Sequence, residues 1–146
     1  MARLQLILPT EVKFACELTV RAADLNYGNH VGNDSILTLM QEARILFYRS
    51  LGYKNELNFE GSVGHIVADA AVVYKSEAFL GDDLKIQISL NDFSKYGFDM
   101  YYRLINKATD KEVAIGKTGI VFFDYDKRKV AGIPATFMEK ISSSNV

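Results

Sequence analysis

The side chains that could act on a substrate are concentrated in Asp24-Leu25-Asn26-Tyr27-Gly28-Asn29-His30-Val31-Gly32-Asn33-Asp34. His30 could bond a carbonyl, orient water or pass a proton near neutral pH, although an imidazole in a polar loop is also used simply to lock backbone. Asn26 could hold substrate or water through its amide, or close an Asx turn. It cannot serve as a base or nucleophile. This loop runs without a spacer into an apolar segment, which places Asn33, Asp34 and Ser35 at a helix N-terminus. Free N–H groups and the positive end of the helix dipole can there hold negative charge developing on a substrate oxygen. Two carboxylates are candidate bases. Asp34 also suits an N-cap, as do Asn33 and Ser35. Glu42 lies two turns into an apolar helix, where a carboxylate must be paired or used.

The elements that position these groups follow from periodicity. Ile36, Leu39, Met40, Ala43 and Phe47 share one face of a helix predicted over Ser35 to Leu51, with Gly52 as its C-terminal stop. Apolar residues spread to its other faces as well, so something must wrap it. Glu11 to Val20 alternates as a first strand with Cys16 on its apolar side, where a small hydrophobe is expected rather than a nucleophile. A polar connection with room to move, Tyr53 to Ser62, leads to Gly64–Tyr74, which reads as a strand buried on both faces and interrupted by Asp69. His65 at its start is expected to be structural, and Asp69 to pair across the sheet. Leu84 to Leu90, Phe98 to Ile105 and Glu112 to Tyr125 follow as strands separated by turns. Gly116 and Gly119 in the last of them mark a bulge, a bend or a close approach. A short helix is predicted over Ala135 to Ile141. The expected class is α+β, a single antiparallel sheet curled around one long central helix.

The 146 residues are expected to form one domain, 1–146, with a frayed tail at 142–146. A net charge of −1 with interspersed signs leaves no basic footprint for nucleic acid. One cysteine excludes an internal disulfide and fits a reducing compartment. The apolar run Leu4 to Leu8 is too short for a signal peptide or a membrane span, so a soluble, cytoplasmic protein is expected. Two histidines and one cysteine on separate elements give no metal-ligand spacing, and no metal is predicted.

Element order and loop motif together resemble the hotdog-fold thioesterases, in particular the 4-hydroxybenzoyl-CoA thioesterase-like group, from about Glu11 to Ile141. The stretch Arg21 to Asn33 is similar to the group's Arg-x-x-Asp-x-Asp-x-x-Gly-His-Val-Asn-Asn. Glu42-Ala43-Arg44 with Leu51-Gly52, Ala71-Val72-Val73-Tyr74 with Phe79-Leu80-Gly81-Asp82, and Ile133-Pro134 look like its later elements. Asn26 stands where the group carries a second, catalytic Asp, and Gln41 where many members have Glu. The resemblance implies a homodimer or dimer of dimers, acyl-thioester sites at the subunit interface, and coenzyme A or acyl carrier protein as carrier, with no separate cofactor. The expected site comprises Asn26, His30, Glu42 and Asp34 as catalytic groups and Tyr27, Gly28, Asn29, Gly32 and Asn33 around the substrate. A binding module without turnover, motivated by Asn26, and an enoyl-CoA hydratase, whose Asp-x-Asn-Pro-x-His pattern is approached by Asp24, Asn26 and His30, are the competing readings.

Overall fold

A computed structural model describes residues 2–143 of the chain. In order it contains β1 (Phe14–Thr19), a 3-10 turn (Ala22–Asp24), α1 (Asn33–Ser50), β2 (Val63–Tyr74), β3 (Asp83–Asn91), β4 (Gly97–Asn106), β5 (Glu112–Asp124), β6 (Lys129–Val130) and α2 (Ala135–Ser143). The strands form one antiparallel sheet in the order β1-β3-β4-β5-β2, with β6 added to the end of β5. Period-2 alternation gives the sheet its buried face: Leu84, Ile86 and Ile88 of β3, Met100, Tyr102 and Leu104 of β4, and Ala114, Ile120 and Phe122 of β5 are almost fully buried. They form one core with Ile36, Leu39, Met40, Ala43 and Phe47 of α1, the face expected from the 3.6 period.

The two strand glycines have different causes. A β-carbon on Gly116 would lie 2.5 Å from Met40 Cε, so this glycine is where the helix approaches the sheet. Gly119 sits opposite a bulge between Val67 and Asp69. The extra residue disturbs the ladder, and Asp69 Oδ1 takes over as acceptor for the Gly119 N–H at 3.0 Å while pairing with Lys117 Nζ at 2.8 Å. A β-carbon on Gly119 would stand 2.5 Å from that oxygen.

Several expectations are corrected. β2 is an edge strand, paired only with β5, so Ile66 and Val67 are exposed in the chain rather than buried on both faces. Along α1, Arg44 is buried and Glu42 is exposed. Arg44 follows Met40 by one turn on the buried face, whereas Glu42 is about 200° away at 100° per residue. The guanidinium of Arg44 meets Glu56 at 3.1 Å and donates to the Tyr102 hydroxyl at 3.3 Å, which is shared with Thr118 at 2.7 Å. Glu56 also accepts from His65 Nε2, and His65 Nδ1 accepts from the Tyr48 hydroxyl at 3.0 Å. His65 is therefore structural, as its place at a strand start suggested. The connection 53–62 is polar only in part. Tyr53 and Phe59 are buried and their rings pack on Phe137 of α2, which with Glu56 fastens this segment over the far end of α1. Of the expected frayed tail, Ser142 and Ser143 continue α2, and 144–146 lie outside the described residues.

Candidate active site

The loop before α1 is a miniature hairpin. Leu25 and Val31 bridge as antiparallel partners, the Asn26 N–H donates to the His30 carbonyl at 2.9 Å, and the Asn29 N–H donates to the Asn26 carbonyl at 3.1 Å. Asn29 takes the left-handed φ of 63° that closes such a turn, a conformation asparagine tolerates better than most residues. Asp24 anchors the base of the hairpin from a buried position. Its carboxylate accepts from the Arg21 backbone N–H at 2.8 Å and guanidinium at 3.0 Å, and its carbonyl accepts from the Gly32 N–H at 3.0 Å. Burial raises the Asp24 pKa, but the Arg21 bonds outweigh that effect and leave it below the ordinary carboxylate value.

At the tip Asn26 Oδ1 accepts the Gly28 N–H at 2.9 Å, an Asx turn that leaves the amide NH2 as the free end. A β-carbon on Gly28 would be 3.2 Å from both Asn26 Oδ1 and His30 Nε2, so the glycine lets these two side-chain ends lie close together without crowding. His30 Nδ1 is 3.2 Å from the Val31 carbonyl. A carbonyl can only accept, so this bond requires a proton on Nδ1, and a neutral ring held this way has its lone pair on Nε2.

The helix then starts without a side-chain cap, contrary to the expectation for Asn33, Asp34 or Ser35. Gly32 is the N-cap, and Asp34 lies inside the first turn with Oδ1 folded to 2.7 Å from the point a Gly32 β-carbon would occupy. The reason is the Gly32 bond to Asp24, which places the chain reversal one residue before the first capping side chain. The uncapped first-turn N–H groups are thus left for solvent or a ligand.

These parts surround a cavity of about 350 Å³. Asn26, His30 and Asn33 line it together with an apolar floor of Val31, Ile36, Ala78 and Val113. Its far wall is Tyr74, Lys75, Ser76 and Glu77, which follow one another off the end of β2. The Tyr74 hydroxyl donates to the Asn33 carbonyl at 3.0 Å, and the Val31 N–H donates to the Ala78 carbonyl at 2.9 Å, so hairpin, helix start and wall are mutually bonded. The wall was not singled out from the sequence. Its one signal was the polar triplet Lys75-Ser76-Glu77 directly after an apolar strand.

Of the expected substrate-contacting residues, Asn33 lines the cavity, whereas Gly32 is buried and does not. Tyr27, Gly28 and Asn29 form the exposed hairpin tip, with Tyr27 wholly in solvent. Glu42 is elsewhere. With Thr38 it opens on a second cavity of about 390 Å³ against Glu17, Thr19 and Arg21, because residues 34, 38 and 42 follow a different helix face from 33 and 36. Cys16 lies near that side, its thiol pushed up to about 11 by burial and the Glu42 charge, which suppresses its thiolate. No group of three His, Cys, Asp or Glu side chains able to hold a metal occurs among the described residues, and no helix among them is long and apolar enough to cross a membrane.

A sheet curled on a long helix, with a loop-to-helix cavity at one end, is the hotdog fold of solved thioesterases. A 1,4-dihydroxy-2-naphthoyl-CoA thioesterase from Synechocystis superposes with a TM-score of 0.81 at 21% identity, covering 89% of this chain and 96% of its own. A gentisyl-coenzyme A thioesterase gives 0.75 at 19% identity over 86% and 99%, and a Staphylococcus aureus protein solved in complex with CoA gives 0.81 at 14% over 93% and 86%. No curated protein sequence matches the chain. The thioesterase-like superfamily matches residues 20–141, and the chain belongs to it.

Proposed function

We infer that the protein hydrolyses an acyl thioester, carried on coenzyme A or acyl carrier protein, to free acid and thiol. The observation that carries this reading is the cavity at the start of α1, where Asn26 and His30 face each other beside uncapped first-turn N–H groups and above an apolar floor. The acyl group rests on Val31, Ile36, Ala78 and Val113. The thioester carbonyl points at the helix start at Asn33, where an uncapped N–H stabilises its oxyanion, while the Asn26 amide and His30 Nε2 orient substrate and water. Coenzyme A enters as part of the substrate, and no other cofactor is used.

The site is shared between two copies of the chain in the cytoplasm. The open edge and exposed Ile66 and Val67 of β2 form the pairing surface. A panel of short, medium, long and aromatic acyl-CoAs with a free-thiol readout tests the activity, and thiol release for at least one is expected. No release for any member overturns it. Saturable binding of the same panel by calorimetry without product would instead favour a binding module, a reading supported by an Asn26 oxygen already occupied by Gly28.

A further inference from the structure

Within one copy of the chain, the residues given a role so far at the cavity include no base. Asn26 has no titratable carboxyl, and neither Asp34 nor Glu42 is among the residues lining the cavity. His30 could abstract a proton only by becoming an imidazolium, and its Nδ1–H points at the Val31 carbonyl rather than at a carboxylate that would stabilise that charge. Among the described lining residues there is one carboxylate, Glu77.

The backbone around Glu77 is held from both sides. The N–H groups of Lys75 and Ser76 donate to the Val113 carbonyl at 2.9 and 3.2 Å, and the Ser76 hydroxyl donates to the Glu112 carbonyl at 2.6 Å. On the other side the Ala78 carbonyl accepts from Val31 at 2.9 Å, and the Phe79 N–H donates to Asp82 at 2.9 Å. The Val31 to Ala78 bond joins the neighbours of His30 and Glu77 directly. The side chain itself is exposed and makes no hydrogen bond or ion pair among the described residues, so a positioned backbone presents an unengaged carboxylate at the cavity that Asn26 and His30 also line.

We propose that Glu77 is the general base of thioester hydrolysis, a role that rests on the hydrolase reading above. Its carboxylate takes one proton from a water whose oxygen forms the new bond to the thioester carbon, and the carbonyl electron pair moves to the oxygen facing the helix start. Collapse of that tetrahedral species re-forms the carbonyl and breaks the carbon–sulfur bond. The departing thiolate receives the proton held by Glu77, which returns to its ionised form. Water is the sole co-reactant, and acid and thiol are the products.

The test compares wild type, Glu77→Gln, Glu77→Ala and Glu42→Gln on whichever acyl-CoA the wild type cleaves best. Glu77→Gln is expected to lower kcat on the order of 10²- to 10⁴-fold with KM within a few-fold, the range seen for loss of a general base. Glu77→Ala is expected to regain part of its rate in added formate, which replaces the missing carboxylate, whereas a variant that had merely disturbed the wall would not. Undiminished kcat in Glu77→Gln, or a loss confined to Glu42→Gln, overturns the assignment while leaving the hydrolase reading intact. A wild type inert on every thioester overturns both.

Discussion

Met40 of the central helix lies so close to Gly116 of β5 that a β-carbon there would stand 2.5 Å from its methyl carbon and 2.8 Å from its sulfur. Met40 is fully buried, so its flexible end has little room to give. Gly116→Ala is expected to cost about 1–3 kcal/mol through overpacking, and Met40→Ala about 2–5 kcal/mol through the cavity left behind. The double variant should be more stable than the sum of the two losses predicts, because the new methyl occupies space vacated by the thioether. Urea unfolding of all four proteins measures this, and strict additivity would contradict direct packing.

The Arg44, Glu56 and His65 group predicts loss of stability toward acid. Burial lowers the His65 pKa from its ordinary 6.5, against the opposing pull of Glu56. A lowered histidine favours the neutral ring in the folded state, so its contribution is complete above 6.5 and is lost as pH falls through the lower folded value. Burial raises the Glu56 pKa, but His65 and Arg44 outweigh it and bring it below 4.5, so this contribution too is lost as pH falls through the folded value. Unfolding free energy measured between pH 7 and pH 4 should fall, and Glu56→Gln, which removes the group opposing the His65 shift, should steepen the part of the fall that begins near 6.5. Arg44→Met removes one charged partner of Glu56, which keeps its His65 bond, and is expected to cost about 1–3 kcal/mol at pH 7.

Asn26→Asp keeps the acceptor for the Gly28 N–H, so the hairpin should survive, but it removes the amide donor. If that donor holds the substrate or water, kcat/KM should fall by about 1–3 kcal/mol of transition-state binding, roughly 5- to 150-fold. Increased turnover in the aspartate variant would mean that the amide limits the wild-type site.

Most of the architecture was legible because its signals are local. The apolar face of α1, the alternation of β3 and the left-handed Gly52 with φ of 95° depend on residues close in sequence. The site was legible only on its hairpin side, where Asn26 and His30 are four residues apart. Glu77 reaches the same cavity through the pairing of Val31 with Ala78, a long-range bond with no sequence period. Glu42 was legible only by its distance along the helix: counting turns shows how far along a carboxylate lies, whereas a difference of about 100° per residue decides that it is exposed and meets the second cavity. Arg44 was the buried charge, and its partner Glu56 comes from a connection whose polar residues had no periodicity to interpret.

Assembly through β2 predicts a particle of at least twice the 16.4 kDa chain mass by light scattering at micromolar concentration. Val67→Asp puts a charge on the exposed edge strand without disturbing the core. It is expected to shift the protein toward monomer and to reduce turnover in parallel. A monomeric wild type with full activity would contradict a shared site.

The bulge at Ala68 divides the edge strand into two halves that answer to different demands. Because the Asp69 carboxylate grips the Gly119 backbone and Lys117, a shift of Val63–Val67 along β5 stops at that clasp and does not reach Ala70–Tyr74. Strand pairing otherwise passes any slip along its whole length, and one residue of slip would swing Tyr74 to the opposite face and take its hydroxyl from the Asn33 carbonyl. The half carrying the exposed Ile66 and Val67 is therefore separated by the Asp69 clasp from the half that shapes the cavity, so a change of register in the first is expected to leave the alignment of the wall beside His30 intact.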